Sequence, residues 1–371
     1  MKPGTMQSVP DNAQPDLDYR RVLDAAIADT LRQARKIITG SPALLVTVTK
    51  IFLYQKKAAR TRRTNERQGL LVPPVMIASI TSRCNLACAG CYMKAKHHSN
   101  PDMSPDQLRT VVREAACLGV SIIVIAGGEP LLRKDEIIRL AHSFPQVLFP
   151  VFTNGLVIDE NMADEIAGLR NIVPVISFEG FRDDTDARRG GGVYDLLLDA
   201  CSLLKSRNIF FGCSVTTSRA NFGHVMDEAF IRQMIDAGVR VFTFVEYVPM
   251  EPGTEDLVLA PEQKTMLNTA LSAFNRKFSA LFIGFPGDEE PYSGCLAAGR
   301  GFVHISPSGD LEPCPAAPLS DANLTTVPLN EALRSRLLAR IREEHGLLTE
   351  SSGGCALRAN REWVQEIMGR E

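Results

Sequence analysis

The sequence predicts an α/β fold: a partial (β/α)6 TIM-like barrel with a helical N-terminal segment and a small cysteine-containing C-terminal extension. Between about residues 71 and 285, short apolar runs alternate with longer amphipathic ones, the pattern of β/α units on a parallel sheet. In the segment 1–70, the sequence predicts helix from about residue 17 onward. Residues 286–371 no longer follow the β/α alternation, and they contain three further cysteines. We therefore expect three parts: 1–70, 71–285 and 286–371.

The N-terminal segment contains an apolar run and then a basic one. The apolar part of SPALLVTVTKIFLYQKKAARTRRTNER is broken by Lys50 and is shorter than the roughly 20 residues that cross a bilayer. An apolar helix with a basic end suits an anionic membrane surface or a polyanionic partner. The favoured interpretation of this segment by itself is a helix packed on the barrel with a solvated basic end. The cations concerned are Lys56, Lys57, Arg60, Arg62, Arg63 and Arg67, against one acid, Glu66.

Six apolar runs are the predicted strands of the barrel, and helices are expected between them. One helix start is well marked, in SPDQLRTVVREAACLGV: Ser104 can cap it, Pro105 suits its first turn and Gln107 completes a capping box. Gly119 ends that helix. The strand runs are VMIASI, SIIVIA, VLFPVFT, NIVPVISF, FFGCSVTT and RVFTFVEY.

Composition and charge exclude several classes of protein. With 371 residues, 45% of them hydrophobic, the chain can bury a large core. A formal net charge of −2 gives no overall attraction to nucleic acid. The first residues, MKPGTMQSVPDNAQPD, lack the pattern of a secretory signal, so we expect a reducing cytoplasm in which the nine cysteines are thiols or metal ligands.

Three cysteines lie close together in TSRCNLACAGCY, directly after the first predicted strand. Cys84, Cys88 and Cys91 therefore occupy a βα loop at the carboxyl end of the sheet, where barrels carry their chemistry. Structural zinc takes four ligands, and only His97 and His98 are near enough in sequence to supply the fourth. An iron–sulfur cluster held by three thiolates instead keeps one iron open for a substrate or cofactor. The spacing favours the cluster over zinc.

The C-x3-C-x2-C loop resembles that of the radical S-adenosylmethionine superfamily, and later segments agree with this resemblance in order and position. AGGEP follows the second strand and looks like the motif that receives the amino group of the cofactor methionine. A carboxylate suits an ammonium group, and glycines allow close backbone approach. The resemblance implies cofactor-binding residues in this motif and at later strand ends: Gly127, Gly128, Glu129, Pro130, Thr153, Asn154, Ser177, Glu179, Ser214, Thr216 and Glu246.

Two positions depart from the usual family pattern. Many members have an aromatic residue just before the third cysteine. This chain has Gly90 at that position, and its aromatic residue, Tyr92, directly follows the third cysteine. The adenine contact is then expected elsewhere, with Glu246 to Pro249 as the candidate. In SFEG, Glu179 replaces the more usual aspartate.

The C-terminal cysteines resemble the opening of an auxiliary-cluster extension called SPASM. Cys295, Gly309 and Cys314 have the expected spacing, but the further C-x2-C run of a full extension is missing, and Cys355 follows alone. The resemblance implies one auxiliary [4Fe–4S] cluster held by these three cysteines. The alternative is three unrelated buried cysteines.

The resemblance implies an enzyme, of oxidoreductase or transferase chemistry, that cleaves S-adenosylmethionine at a [4Fe–4S] cluster bound by Cys84, Cys88 and Cys91. The resulting 5′-deoxyadenosyl radical abstracts hydrogen from a substrate. A low-potential electron donor of the flavodoxin or ferredoxin type is implied as a partner.

The substrate is less well defined by the sequence. The basic, apolar N-terminal segment resembles that of members acting on membrane lipids, so a lipid or other hydrophobic substrate at the inner membrane face is the leading hypothesis. A peptide or protein substrate is the alternative, followed by a small metabolite. From other classes, a non-catalytic iron–sulfur electron carrier and a zinc-stabilised binding module remain open.

Overall fold

A computed structural model describes residues 19–37, 42–96, 100–285, 294–348 and 355–369. It contains one nine-stranded sheet in the order β7-β6-β5-β4-β3-β2-β1-β8-β9. The strands are β1 (Val75–Ser79), β2 (Ile122–Ala126), β3 (Phe149–Thr153), β4 (Ile172–Phe178), β5 (Gly212–Thr217), β6 (Val241–Glu246), β7 (Leu281–Phe285), β8 (Phe302–Ile305) and β9 (Leu311–Glu312).

Helices follow the strands in the expected alternation. The helix Pro105–Leu118 begins with the capping box of Ser104 and Gln107 and ends at Gly119, which has φ +99°, as the sequence predicts. The helices are α1 (Tyr19–Ile37), α2 (Pro42–Arg67), α3 (Tyr92–Ala95), α4 (Pro105–Leu118), α5 (Lys134–Ser143), α6 (Glu160–Leu169), α7 (Arg182–Arg189), α8 (Val193–Ser206), α9 (Phe222–Val225), α10 (Glu228–Ala237), α11 (Pro261–Lys277), α12 (Leu329–Ala332), α13 (Arg336–Glu343), α14 (Ala356–Ala359) and α15 (Arg361–Gly369).

The partial barrel is confirmed, and its sheet extends beyond the six strands that the sequence indicated. Strands β1 to β7 are parallel, each paired with the next along the chain. A further strand, β8, pairs in parallel with β1, and β9 pairs antiparallel with β8. The segment after residue 285 therefore continues the sheet of the barrel. The three-part division of the chain stays a prediction.

The N-terminal helix α2 packs against the barrel. The Gln55 side chain exchanges hydrogen bonds with Ser121, and Arg62 Nη1 donates to Gly119 O at 2.6 Å. The Arg62 guanidinium also pairs with Asp24 on α1 at 2.5 Å, so it is buried and does not belong to the exposed basic surface. Within the described residues, no helix is long and apolar enough to span a membrane.

Candidate active site

The loop between β1 and α3 carries the first three cysteines at the carboxyl end of the sheet. Cys84 is exposed, and Cys88 and Cys91 are half-buried. The start of the loop is fixed by Asp102, whose carboxylate accepts from Thr81 Oγ1 at 2.6 Å and from Ser82 N at 3.0 Å. Asp102 was not indicated by the sequence, because it lies on a different segment from the loop that it holds.

The Gly-Gly turn after β2 packs directly on the backbone of the cysteine loop. Gly128 N donates to Thr81 O and Glu129 N to Arg83 O, both at 2.8 Å. A Cβ atom added to Gly127 would lie 2.4 Å from Thr81 O, and one added to Gly128 would lie 2.1 Å from Arg83 O. The two glycines are therefore required for contact with the cysteine loop itself, a role in addition to the cofactor contact that the resemblance implied.

The carboxylate of Glu129 is buried at the centre of this arrangement, with 1% of the residue exposed. One oxygen accepts from Thr153 Oγ1 at 2.7 Å and Leu131 N at 2.9 Å, and the other accepts from Asn154 N at 2.8 Å. Burial raises the pKa of Glu129, while these hydrogen bonds oppose the rise. Pro130 is buried and begins the 3-10 turn that supplies the Leu131 donor.

Asn154 connects the end of β3 to the cysteine loop. Its Nδ2 atom donates to Asn85 Oδ1 at 2.7 Å and lies 4.0 Å from Cys84 Sγ. Asn85 was not among the residues indicated by the sequence. Glu129, Thr153 and Asn154 are thus brought together beside Cys84, and their contact with the cofactor stays a prediction.

Glu179 lies at the end of β4 and is held by two arginines of α7. Arg188 Nη1 is 2.7 Å from one carboxylate oxygen, and Arg189 Nη2 is 2.5 Å from the other. Arg188 also donates from Nε to Ala89 O at 3.0 Å, inside the cysteine loop. Glu179 therefore acts through these arginines on the loop that carries Cys88, and the adjacent pair in DARRG is the sequence signal for them.

The remaining strand-end residues lie along β4, β5 and β6. Ser177 and Ser214 are register partners on β4 and β5, and Thr216 follows on β5. None of their three hydroxyls makes a hydrogen bond within the described part of the chain. Glu246 is buried at the end of β6, with Lys264 Nζ 3.3 Å from its Oε2 atom.

Tyr247 occupies the space beside Gly90. A Cβ atom on Gly90 would lie 2.7 Å from Tyr247 Oη and 3.1 Å from the ring. The tyrosine is 5% exposed, and its hydroxyl has no hydrogen-bond partner among the described residues. The aromatic ring of Tyr247, directly after β6, thus lies against the loop position where the family pattern has an aromatic residue. Tyr247 belongs to the segment expected to supply the adenine contact.

The three C-terminal cysteines come together, although they are separated in sequence. Cys314 makes a side-chain hydrogen bond with Cys355 and lies close enough to Cys295 for their charges to interact. That hydrogen bond, burial and the neighbouring thiols raise the pKa of Cys314 well above its ordinary value. Their convergence argues against three unrelated core cysteines.

Both cysteine groups suit thiolate-bound iron–sulfur clusters better than a single ion. Iron–sulfur clusters are held by cysteine thiolates, and each group provides three thiols. The described residues contain no set of three or more His, Cys, Asp or Glu already arranged around one metal ion. His97 and His98, the zinc ligands considered from the sequence, lie outside the described residues.

A buried polar chain links the first cysteine segment to the C-terminal hairpin. His304 on β8 lies 2.8 Å from Ser79 Oγ through Nε2 and 2.6 Å from Glu312 Oε2 through Nδ1. Lys96, after α3, is 3.3 Å from the same Glu312 oxygen. Burial raises the pKa of the neighbouring Tyr92 to about 12, so its phenol stays protonated at neutral pH. No local sequence pattern indicates that these polar side chains are connected.

Comparison with known proteins identifies one family model and several relatives. Residues 78–236 match the family model described as the Radical SAM superfamily. The chain is 27% identical over 309 residues to mycofactocin maturase MftC of Mycolicibacterium smegmatis, covering 78% of this chain and 76% of that protein. It is 26% identical over 258 residues to PqqA peptide cyclase of Granulibacter bethesdensis, covering 66% and 68%.

Another relative matches over a shorter region. Fe-coproporphyrin III synthase of Methanosarcina barkeri is 30% identical over 151 residues, which cover 40% of this chain and only 38% of that protein. Among solved structures, Streptococcus suis SuiB bound to S-adenosylmethionine has a TM-score of 0.62 at 16% identity, covering 83% of this chain and 76% of that one. This last likeness concerns the fold.

Proposed function

Because the chain belongs to the radical SAM superfamily, as an enzyme that uses S-adenosylmethionine and a [4Fe–4S] cluster, we propose that it modifies a peptide or protein substrate. The observation that carries the site assignment is the bonded unit of the cysteine loop, the Gly-Gly turn and Glu129 beside Cys84. It places three thiols, a buried carboxylate and an amide at one end of the sheet.

Each part of this unit has a task in the proposed reaction. Cys84, Cys88 and Cys91 would hold the cluster, which when bound supplies the electron that cleaves S-adenosylmethionine to methionine and a 5′-deoxyadenosyl radical. Glu129 would accept hydrogen bonds from the cofactor ammonium group, and Thr153 fixes the orientation of its carboxylate. Rigid placement matters because a primary radical reacts with whichever C–H bond is nearest.

The other predicted cofactor residues stay proposals with different support. The half-buried Ser177 and Thr216 have hydroxyls suited to the cofactor ribose or carboxylate. Glu179 is engaged by arginines, so its support is for positioning the loop. Tyr247 replaces Glu246 as the best candidate for stacking on adenine, because its ring borders Gly90.

The C-terminal cysteines are proposed to hold a second [4Fe–4S] cluster. This assignment is supported by the hydrogen bond between Cys314 and Cys355 and by the nearby Cys295, since these thiols come from three segments and two of them are buried. A fourth ligand is left to the substrate or to another side chain.

Peptide chemistry is better supported than the lipid hypothesis. Relatives that align over about two thirds or more of this chain include proteins named as a maturase and a peptide cyclase. The lipid hypothesis depended on the basic N-terminal helix, and that helix packs on the barrel and buries Arg62.

The substrate class is tested by 5′-deoxyadenosine release from the anaerobically reconstituted enzyme under reductant. A pooled peptide library and anionic phospholipid vesicles are added in parallel to wild type. We expect the peptide pool to raise turnover and vesicles to leave it unchanged. Stimulation by vesicles alone would contradict the peptide proposal and restore the lipid hypothesis.

A further inference from the structure

A small apolar groove adjoins the second cysteine group. Its volume is about 200 Å³, and its walls come from the loop after β6, the segment after Cys314 and the two C-terminal helices. Ala316 and Leu357 lie two residues after Cys314 and Cys355, and Ala316 N contacts Cys314 Sγ at 3.4 Å. Met250 closes the groove from the carboxyl end of the sheet. The groove therefore adjoins the second cysteine group and the loop that follows the carboxyl end of β6.

The lining of the groove combines an apolar floor with two cationic side chains. Ala317, Leu357 and Val364 are buried, whereas Arg358 is half-buried and Arg361 exposed. No acidic side chain of the described residues lines the groove, and neither arginine forms an ion pair within that part of the chain. Within the described residues, the hydrogen bond of the Arg358 side chain runs from Nη1 to Met250 Sδ at 3.5 Å, a partner that carries no charge.

The acidic residues nearest in sequence do not change this charge balance. Glu362 and Glu366 are on the same helix as Arg361, but the lining positions are Arg361, Val364 and Gln365. Residues one position apart on a helix do not face each other, and Glu362 is not among the residues that line the groove beside Arg361. The groove accordingly has a net positive rim.

The size of the groove limits what it can hold. Pockets for whole small-molecule ligands usually measure about 300–1,000 Å³, larger than this one. One apolar side chain would fill the floor, and a carboxylate next to it would meet the arginines, which bind carboxylates through paired N–H donors.

We propose that this groove binds a segment of the peptide substrate in which an apolar side chain lies next to a carboxylate. The inference rests on the proposed function and adds a docking position and a sequence preference for the substrate. The carboxylate has two sources with the same chemistry, an acidic side chain or the C-terminus of the peptide.

Photo-cross-linking to the reconstituted full chain tests the proposal without requiring turnover. The probe is a biotinylated hexapeptide, Gly-Ser-photoleucine-Glu-Ser-Gly-amide, and its matched control has Gln in place of Glu. A third peptide ends in photoleucine with a free carboxylate, and a fourth is its amide. The attachment site is read by mass spectrometry.

We expect attachment at Met250, Leu357 or residues 316–319, at a level about tenfold higher for a carboxylate peptide than for its neutral control, because a hydrogen bond to a charged group is stronger than one between neutral groups. The preferred pair identifies the source of the carboxylate. The double variant Arg358→Gln/Arg361→Gln should abolish the charge preference and leave labelling by the neutral peptides unchanged.

The double variant Arg334→Gln/Arg336→Gln is the matched control, because both of its arginines are exposed and neither lines the groove. It should label as wild type does. Equal labelling by acidic and neutral peptides, attachment elsewhere, or no attachment would overturn the groove proposal. Peptide-stimulated 5′-deoxyadenosine release in that case would keep the proposed function standing, so the two failures are distinguishable.

Discussion

Replacing Gly128 by alanine should dislodge the first cysteine loop. The added Cβ would lie 2.1 Å from Arg83 O, 2.6 Å from Arg83 C and 2.9 Å from Ser82 O. All three are backbone atoms, so no side chain can rotate away to relieve the contact. Ordinary contacts of a Cβ atom begin near 3.4 Å, and Arg83 would therefore have to move by more than 1 Å.

The cost follows from two contributions. Overpacking of this kind costs about 1–3 kcal/mol, and the movement also breaks the hydrogen bond from Glu129 N to Arg83 O, worth about 0.5–1.5 kcal/mol. Together these predict that the free energy of unfolding falls by about 1.5–4.5 kcal/mol. Since Cys84 follows Arg83 directly, its thiol moves with the backbone.

The assay is iron content after anaerobic reconstitution, together with chemical denaturation. Gly128→Ala should lose iron from the first cluster and lower 5′-deoxyadenosine release at least about tenfold, equivalent to 1.4 kcal/mol. Gly168→Ala is the matched control: this glycine is exposed on α6 and a Cβ there meets nothing within 4 Å. It should retain full activity and gain up to about 1 kcal/mol of stability. A Gly128→Ala enzyme with wild-type iron content and activity would refute the packing argument.

Three further predictions concern other parts of the site. Thr153→Val removes a hydrogen bond to the buried carboxylate at the end of β2 and should raise the Kd for S-adenosylmethionine about tenfold with iron content unchanged; an unchanged Kd would contradict this. His304→Leu removes the buried hydrogen bonds of this histidine to Ser79 and Glu312, of which Glu312 keeps Lys96 as a partner, and should lower the free energy of unfolding by about 1–3 kcal/mol, whereas the exposed His224→Leu should cost far less; equal effects in denaturation would refute it. Burial raises the pKa of the half-buried Cys88 thiol, and iron binds thiolates, so cluster assembly followed by absorbance should accelerate from about pH 7 to 8.5; a rate that falls would count against it.

The parallel strands could be predicted because their apolar runs are local and continuous. The six predicted strands coincide with β1 to β6, and the polar residues that end them lie at one edge of the sheet. Strands β8 and β9 have two to four residues, and β8 includes a buried histidine. Their place beside β1 depends on pairing across the length of the chain, which no local pattern specifies.

In the candidate site too, features that are local in sequence could be predicted, and contacts between distant segments could not. The three cysteines and the GGEP motif are short motifs and could be recognised from the sequence. The partners that hold them are distant in sequence: Ser79 and His304 are 225 positions apart, and Tyr247 reaches Gly90 from the sixth strand. Arg62 is a case in which the local pattern misled. Its place in a basic run predicted a solvated side chain, but the folded protein buries it.

The central claim is that Cys84, Cys88 and Cys91 hold the cluster that cleaves S-adenosylmethionine, and one measurement tests it most directly. Wild type and two triple Cys→Ala variants, one for this set and one for Cys295, Cys314 and Cys355, are reconstituted anaerobically and assayed for iron and for 5′-deoxyadenosine. Two [4Fe–4S] clusters predict about eight irons in wild type and about four in each variant. Cleavage should be lost with the first set. Cleavage retained without the first set, or absent from fully loaded wild type under strong reductant, would contradict the claim.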